Sequence, residues 1–483
     1  MPITRKNIVI SFALLSTLFF MASLYQRNIT YDEAFFAEQA WWLNQEGVVR
    51  SELYSDMLNW GERQYAYHKL HVWQIAAIDK MLGWSVYNFK SIVLIYLLVF
   101  LVFSYRFFTK VLTPGNNTGF FIFIGLFLFN TYIIQYGFEA RPEIMMMSLG
   151  FLAFLSIRHA IVIESYSLIA LAALLCGMTV LFHLNGLIFV FAGIVLLLFA
   201  RKVRFLPVFL LISGLTSALY FADIVTDNAY DVAFEQLTGD PAVTRDSFSI
   251  LDRIVKFLSA PKRFVSHLYD ISLTILFLLL IYLNRESIRQ SREIHYLLVY
   301  FIAAELGLAL IGPDNKNMYL VLHMPFIVII VALLLPGTIN KISRPWIMYV
   351  LLIFYVITQF GHSIKIFDNR NSHIIAAHKK IIEYHNINSS DRILAPARFV
   401  FNEIDSANIK AVELLPLLHQ QKKIEYTAGG IFKYAARDRR RYVILRPETL
   451  DILGISKTDI NTVTHGYRLL GQQSDLYVFK EEK

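Results

Sequence analysis

Cysteine is almost absent from this chain, since Cys176 is the only one among 483 residues. Cys176 lies within an apolar run, so we expect neither a disulfide nor a cysteine-based metal site. Charged side chains are also scarce, at 17% of the residues, whereas hydrophobic residues make up 56% and the mean hydropathy is +0.49. A water-soluble chain of this length needs more charge to cover its surface. The composition therefore predicts a mainly α-helical protein that crosses a membrane several times.

Motifs for nucleotide chemistry are missing as well. The chain contains no G-x-G-x-x-G, no Walker loop, no H-E-x-x-H and no G-x-S-x-G. The net charge of +8 does not indicate nucleic-acid binding, because Lys and Arg occur in short clusters between apolar runs. Such clusters are typical of the cytoplasmic loops of a membrane protein. We expect the lipid bilayer, and no nucleic acid, as a partner.

The apolar runs predict about eleven membrane spans. We place them near 8–25, 91–108, 119–136, 143–158, 166–182, 184–200, 205–222, 268–283, 295–312, 318–335 and 346–361. With the N-terminus inside, each inner loop carries Lys or Arg, so the positive-inside rule sets the orientation. The sequence then divides into a transmembrane domain, 1–361, and an extracytoplasmic α/β domain, 362–483. We expect a plasma membrane location, in a bacterial inner membrane.

Two stretches outside the spans predict further helices. The extracytoplasmic loop 26–90 contains two candidates for helices at the membrane interface, 31–46 and 67–82, and each is followed by glycine. After residue 361 the pattern predicts a helix at 373–385, strands at 392–395 and 442–446, and two strands within 467–480.

Asp32 and Glu33 follow directly after the first apolar run, where a membrane helix meets water. Thr30 and Glu33 have the spacing of a capping box, which could be the whole role of Glu33. A capping box does not use the carboxylate of Asp32. Asp32 is therefore a candidate for a general base at the membrane surface.

Further polar residues lie at the extracytoplasmic ends of later spans. Arg141 could bind a phosphate in bidentate fashion, or it could simply be neutralised by Glu139 and Glu143. His183 joins two spans, and Lys316 and His323 flank another short outer link. Each is a weak signal alone, but ionisable groups at membrane depth are costly and usually mark a pathway or a reaction site.

Several short motifs occur in an order that resembles one known family. They are Tyr31-Asp32-Glu33, Tyr67-His68-Lys69-Leu70, Glu139-Ala140-Arg141-Pro142-Glu143, the stretch from Gly177 to Gly186, and Tyr319 to Pro325. In this combination the chain resembles the GT-C fold glycosyltransferases that use polyprenyl-phosphate sugars, the superfamily of the protein O-mannosyltransferases and the lipid A aminoarabinose transferases. The motifs cover about the first 335 residues.

The resemblance implies an enzyme that moves a sugar from a polyprenyl-phosphate donor to an extracytoplasmic hydroxyl of a glycan, lipid or protein, with inversion. Asp32 would be the base, with Glu33 as support. The residues that would hold the donor phosphate are Lys69, Arg141, His183 and Lys316, and those of the acceptor or sugar pocket are Tyr31, Glu143, Tyr319 and His323. Where many relatives have Lys-Pro-Pro, this chain has Lys69-Leu70-His71.

Two alternatives stay open from the sequence. The scheme requires no cofactor, although His68 and His71, at i and i+3, could bind a divalent metal together with Glu62. A transporter or flippase of a lipid-linked saccharide is the other function class. It would place paired charges in the middle of the spans, where the sequence shows only Glu305.

Overall fold

The computed structural model describes residues 5–25, 27–239, 250–311, 317–368, 374–388, 390–404, 408–452, 465–473 and 476–482. The α-helices of the first 368 residues are α1 Arg5–Leu24, α2 Tyr31–Glu46, α3 Lys69–Leu82, α4 Val86–Phe107, α5 Thr118–Leu128, α6 Thr131–Tyr136, α7 Glu143–Ile163, α8 Tyr166–Phe182, α9 Leu187–Phe199, α10 Leu206–Ala218, α11 Ala222–Thr226, α12 Tyr230–Gly239, α13 Ile250–Ser259, α14 Leu268–Leu283, α15 Arg285–Gln290, α16 Arg292–Ile311, α17 Met324–Lys341 and α18 Trp346–Asp368.

The remaining elements follow α18. They are α19 Ile374–Tyr384, β1 Arg392–Ala395, α20 Val400–Glu403, β2 Asn408–Ala411, α21 Leu415–Gln420, α22 Ala428–Arg437, β3 Tyr442–Leu445, α23 Pro447–Ile452, β4 Tyr467–Gln473 and β5 Leu476–Glu481. We call residues 374–482, as far as they are described, the C-terminal module.

The long apolar helices make this a multi-pass membrane protein. Within the described ranges, seven helices are long and apolar enough to cross a membrane, or eight if the bent pair Phe257–Val265 and Leu268–Leu283 forms one span. Three more apolar helices, Thr118–Leu128, Tyr166–Phe182 and Leu184–Phe199, are shorter. They coincide with predicted spans, but their length alone does not establish a crossing. The number of about eleven spans therefore stays a prediction.

Two predicted spans are interrupted by local structure. The run 119–136 divides into α5 and α6 because Asn130 adopts an extended backbone and its side chain accepts a hydrogen bond from the Tyr132 amide at 3.0 Å. Such side chain to backbone bonds compete with a continuous helix. The run 318–335 starts with the 3-10 segment Asn317–Leu322, so that α17 begins only at Met324.

The two helices predicted within residues 26–90 are present as α2 and α3, while their place at the membrane interface stays a prediction. α2 begins with the capping box, in which Thr30 Oγ1 accepts the Glu33 amide and Glu33 Oε2 accepts the Thr30 amide. It ends at Gly47, whose φ of 72° is in the left-handed region that glycine tolerates. α3 likewise ends before Gly83, with a φ of 84°. Thr30 and Glu33 thus define the start of α2, and a glycine with positive φ follows the end of each helix.

The C-terminal module is built on a five-stranded sheet of order β2-β1-β3-β5-β4. β2, β1 and β3 are parallel, while β5 pairs antiparallel with β3 and β4. The sequence predicted every strand except β2, which is only four residues long. The helix predicted at 373–385 is α19.

One end of the helix bundle carries α2, α3 and the C-terminal module, and we call it the module face. The Trp84 indole before α4 donates to the Val400 carbonyl at 3.3 Å, which brings the module onto the bundle. The opposite end carries basic residues between spans, such as Lys202, which pairs with Glu164 at 2.5 Å. The two ends of the bundle therefore differ in charge and in structure.

The link between α8 and α9 depends on a close backbone approach. A Cβ atom at Gly186 would lie 2.2 Å from the Thr179 carbonyl carbon, whereas a Cβ at Gly337 in α17 would meet nothing within 4 Å. The Thr179 hydroxyl also donates to the Gly186 carbonyl at 3.0 Å. Only glycine therefore fits at position 186.

Gly186→Ala should destabilise the protein by about 1–3 kcal/mol, because the added methyl group must push α9 away from α8. The melting temperature of purified protein in detergent measures this loss. Gly337→Ala is the matched control in another membrane helix, and it should leave the melting temperature unchanged or slightly higher. Equal melting temperatures for Gly186→Ala and the wild type would contradict the packing described.

Candidate active site at the module face

Asp32, Arg141 and Glu143 form a group of ion pairs at the module face. Arg141 lies between α6 and α7, and its Nη1 atom pairs with Asp32 Oδ2 on the first turn of α2. Its Nη2 atom donates to Glu143 Oε1 at 2.9 Å and its Nε atom to Glu143 Oε2 at 3.3 Å. Side-chain exposure is 24% for Asp32 and 17% for Arg141, but only 2% for Glu143. Solvent therefore reaches the Asp32–Arg141 end of the group.

Charge compensation keeps the Arg141 guanidinium ionised. Burial opposes its charge, but the adjacent Glu143 carboxylate overcomes this effect and raises the pKa of Arg141. The sequence left open whether Arg141 is neutralised by its two glutamates. Glu143 does so directly, while the second carboxylate at the guanidinium is that of Asp32.

Glu33 faces the interior of the same region. Besides capping α2, its carboxylate accepts the Ala140 amide at 2.8 Å and pairs with Lys90 Nζ at 3.2 Å. The side chains of Glu33 and Lys90 are fully buried. Glu33 therefore ties the start of α2 both to α4 and to the residue before Arg141, and this sets Asp32 against the guanidinium. The predicted supporting role in catalysis remains a prediction.

Two histidines and a tyrosine lie beside this group. The ring of His68 stacks on that of His183 with centroids 4.7 Å apart, and His183 meets Tyr319 edge-on at 6.0 Å. Burial lowers the pKa of His68 to about 4. At neutral pH His68 is therefore uncharged, which suits hydrogen bonding and stacking better than phosphate binding.

Lys69 points into a different pocket. Its ammonium group lies 2.5 and 2.6 Å from the two carboxylate oxygens of Asp223 and donates to the Tyr65 carbonyl at 3.1 Å. The Lys69 side chain is 1% exposed. An ammonium group has three protons to donate, and these contacts occupy them. A phosphate at Lys69 would have to compete with Asp223, a partner that was not predicted.

One predicted site residue, His323, lies in a separate group. His323 is fully buried, and its Nε2 atom lies 3.0 Å from Glu305 Oε2, while Arg263 Nε lies 3.5 Å from Glu305 Oε1. These three form a separate charged group among α16, α17 and the turn before α14.

Lys316 lies outside the described residues. Tyr31, by contrast, begins α2 next to Asp32 and is 53% exposed.

The possible metal site is not formed. No three His, Cys, Asp or Glu side chains in the described parts of the chain lie close enough to share a metal ion. The Nε2 atom of His71 donates to the Ala140 carbonyl at 2.9 Å, and Glu62 is exposed at the surface. The spacing of His68 and His71 thus serves packing around Phe36, which contacts both rings at 5.0 Å.

An apolar cavity of about 480 Å³ opens near the same face, and the sequence did not predict it. Phe264, Phe277, Phe301 and Leu320 supply apolar wall, and Lys262 is among the few charged residues that line it. Leu320 is two residues from Met318, whose sulfur lies 3.9 Å from Arg141 Nη2. The cavity and the ion pairs are therefore neighbours. The basic pair Lys262 and Arg263 could have drawn attention to this part of the chain, because such pairs are uncommon in a predicted outer loop.

The sequence and structure of this chain were compared with those of known proteins. No protein-family model matches the sequence, and no curated protein sequence matches it. Among solved structures, the chain is similar to ArnT from Cupriavidus metallidurans bound to undecaprenyl phosphate, with a TM-score of 0.61, 11% identity, and coverage of 99% of this chain and 98% of that chain. The archaeal oligosaccharyltransferase AglB from Archaeoglobus fulgidus, in complex with an inhibitory peptide and a dolichol-phosphate, gives a TM-score of 0.47 at 11% identity, over 91% of this chain and 69% of that chain.

The likeness to ArnT extends over nearly the full length of both chains, so the chain has the GT-C fold. This confirms the predicted fold class: a helical, multi-pass membrane protein with a small sheet near its C-terminus.

Glu33→Gln should destabilise the protein by about 3–5 kcal/mol, because it removes the carboxylate that pairs directly with the buried Lys90 ammonium. Asp32→Asn removes a neighbouring carboxylate that is partly exposed, and it should cost less than half as much. Thermal unfolding of the two variants in the same detergent provides the comparison. If both variants melted together, Glu33 would not be the anchor of α2.

Proposed function

We propose that this protein is a membrane glycosyltransferase that moves a sugar from a polyprenyl-phosphate donor to an acceptor hydroxyl. The group of Asp32, Arg141 and Glu143 carries the proposal, because it presents a carboxylate and a guanidinium together at a partly exposed site. The GT-C fold supports it further. So does the ArnT structure of this fold, which is bound to undecaprenyl phosphate.

The proposed reaction is a direct displacement with inversion. The acceptor oxygen forms a bond to the anomeric carbon while the bond from that carbon to the phosphate oxygen breaks, and Asp32 takes the proton of the acceptor hydroxyl. Such a transition state resembles an oxocarbenium ion, so a carboxylate near the nucleophile and a cation near the departing phosphate both stabilise it. Asp32 and Arg141 supply these two charges.

The ion pair of Asp32 and Arg141 must open for this reaction. A base and a leaving group act on opposite faces of the anomeric carbon, so the two charges have to be separated by the sugar. Glu143 holds Arg141 by two hydrogen bonds, from Nε and Nη2, while Nη1 pairs with Asp32. We expect a donor phosphate oxygen to replace Asp32 at Nη1, which would free the carboxylate to accept a proton. Donor binding would thus activate the base.

The apolar cavity is the proposed site of the first part of the prenyl chain. Its lining is largely aliphatic and aromatic, and Leu320 connects it to the segment that touches Arg141. A chain lying there would direct its phosphate toward Arg141. The sugar and acceptor would then occupy the space beside Tyr31, His183 and Tyr319.

The module face is proposed to be extracytoplasmic. Basic residues between spans lie at the opposite end, for example Lys202 beside Glu164, and such residues favour the cytoplasmic side. A polyprenyl-phosphate sugar facing the outer leaflet could then reach Asp32.

A transporter or flippase of a lipid-linked saccharide is less well supported. Such carriers place their charged site near the middle of the membrane. Glu305 lies six residues, or about 9 Å, before the end of α16, on the side of the module face, and it pairs with Arg263 and His323. This charged group therefore does not resemble a mid-membrane substrate site.

Asp32→Asn should lower sugar transfer about a hundred- to ten-thousand-fold, because the variant has no base for the acceptor hydroxyl. Membranes would be incubated with radiolabelled polyprenyl-phosphate sugar, and label would be followed from the lipid extract into a non-extractable or larger product. Glu46→Gln is the control, since Glu46 lies at the other end of α2 and pairs with the nearby Arg50. Equal transfer by Asp32→Asn and the wild type would remove Asp32 from the mechanism.

Arg141→Lys should mainly weaken the use of the donor. Lysine keeps one positive charge but cannot contact Glu143 and a phosphate through a planar fork, so the donor KM should rise by about tenfold. Initial rates at a series of donor concentrations provide the measurement. An unchanged donor KM together with a large fall in kcat would show that Arg141 does not bind the donor in the ground state.

A further inference from the structure

Hydrogen bonds and ion pairs connect the C-terminal module to the loop between α2 and α3. Asp56 Oδ2 accepts from Lys410 Nζ at 2.9 Å and from the Tyr434 hydroxyl, and Lys410 also pairs with Asp438 at 2.9 Å. Lys410 is 2% exposed, although it carries a charge. We call Asp56, Lys410, Tyr434 and Asp438 the clasp. Asp56 is 39% exposed, but the Lys410 ammonium is buried, so the loss of a carboxylate partner costs more here than at a fully exposed ion pair.

The segment held by the clasp is in turn bound to α2. Glu38, in the middle of α2, accepts the Ser51 hydroxyl at 2.6 Å and the amides of Glu52 and Leu53 at 2.7 and 3.0 Å. The Leu53 carbonyl accepts the Ala411 amide, next to Lys410 in β2, at 3.1 Å. A continuous set of hydrogen bonds therefore runs from the sheet of the module to α2.

The module also contacts the chain just before α2 begins. Arg398 Nη1 donates to Asn28 Oδ1 at 3.1 Å. The segments Ala397–Phe399 and Val400–Glu403 of the module pack on α2 itself. The module therefore contacts both α2 and the residues just before it, and α2 also packs on α3 and α4.

We propose that the C-terminal module is a positioning element of the active site, and that Asp56 and Lys410 hold α2 so that Asp32 faces its reaction partners. This inference rests on the proposed function and adds a role for the module. Neither Asp56 nor Lys410 touches the Asp32–Arg141 group, so they are positioning residues that act through the loop and Glu38. A small displacement of α2 is enough to affect catalysis, since an error of about 1 Å can reduce a rate about a hundredfold.

The experiment compares Asp56→Asn and Lys410→Met with the full-length wild type in lipid nanodiscs. Hydrogen exchange of the peptide 31–46 reports on α2, and transfer assays report kcat and the donor KM. Both variants should increase hydrogen exchange in α2 and lower kcat by about tenfold or more. The donor KM should stay within about twofold, because the module does not hold Arg141. Asp56 lies outside the module, so its variant leaves the module's own core intact.

Two control variants separate positioning from general damage. Lys410→Arg keeps a cation between Asp56 and Asp438, and it should restore most of the protection and the rate. Lys379→Met removes a cation from the same module, where Lys379 and Glu383 form an exposed pair, and it should behave like the wild type.

Unchanged exchange of α2 in Asp56→Asn and Lys410→Met would overturn the inference, even if transfer fell. Increased exchange without any loss of kcat would overturn it as well. Absence of transfer by the wild type would instead refute the proposed function. Hydrogen exchange of the peptide 31–46 would then still show whether the clasp holds α2.

Discussion

The buried carboxylate of Glu33 is the contact on which the geometry of the site depends. It binds the N-terminus of α2, the Lys90 ammonium of α4 and the Ala140 amide next to Arg141. Three segments that are distant in sequence therefore meet at one side chain. Because Asp32 directly precedes Glu33 and Arg141 directly follows Ala140, their pairing follows from this anchor.

Charge at the module face is divided into separate groups with different surroundings. Asp32 and Arg141 remain partly open to solvent, whereas Lys69 is closed off by Asp223, and His323 by Glu305. A buried charge needs a partner to offset its desolvation, and such a partner also takes up its hydrogen-bonding capacity. The exposure of the basic side chain distinguishes these groups, because Arg141 is 17% exposed whereas Lys69 and His323 are at most 1% exposed.

Local sequence was a reliable guide where short-range chemistry defines an element. The limits of α2 were predictable because Thr30, Glu33 and Gly47 form a cap and a stop within the chain itself. Strand β2 was not predictable, since four residues carry little pattern, and its pairing with β1 depends on the sheet. Nor could the partner of Lys69 be found, because Asp223 lies more than 150 residues away and is brought close only by packing.

The sequence alone determined that this is a helical membrane protein, and which residues begin the helix that follows the first apolar run. These properties follow from composition, hydrophobic run length and capping, all of which act over short distances along the chain. Only the tertiary structure decided that Arg141 pairs with Asp32, that Glu33 is an internal anchor, and that the C-terminal module grips the Asp32 helix. Each of these depends on desolvation and on contacts between distant segments, and neither is defined until the helices have packed.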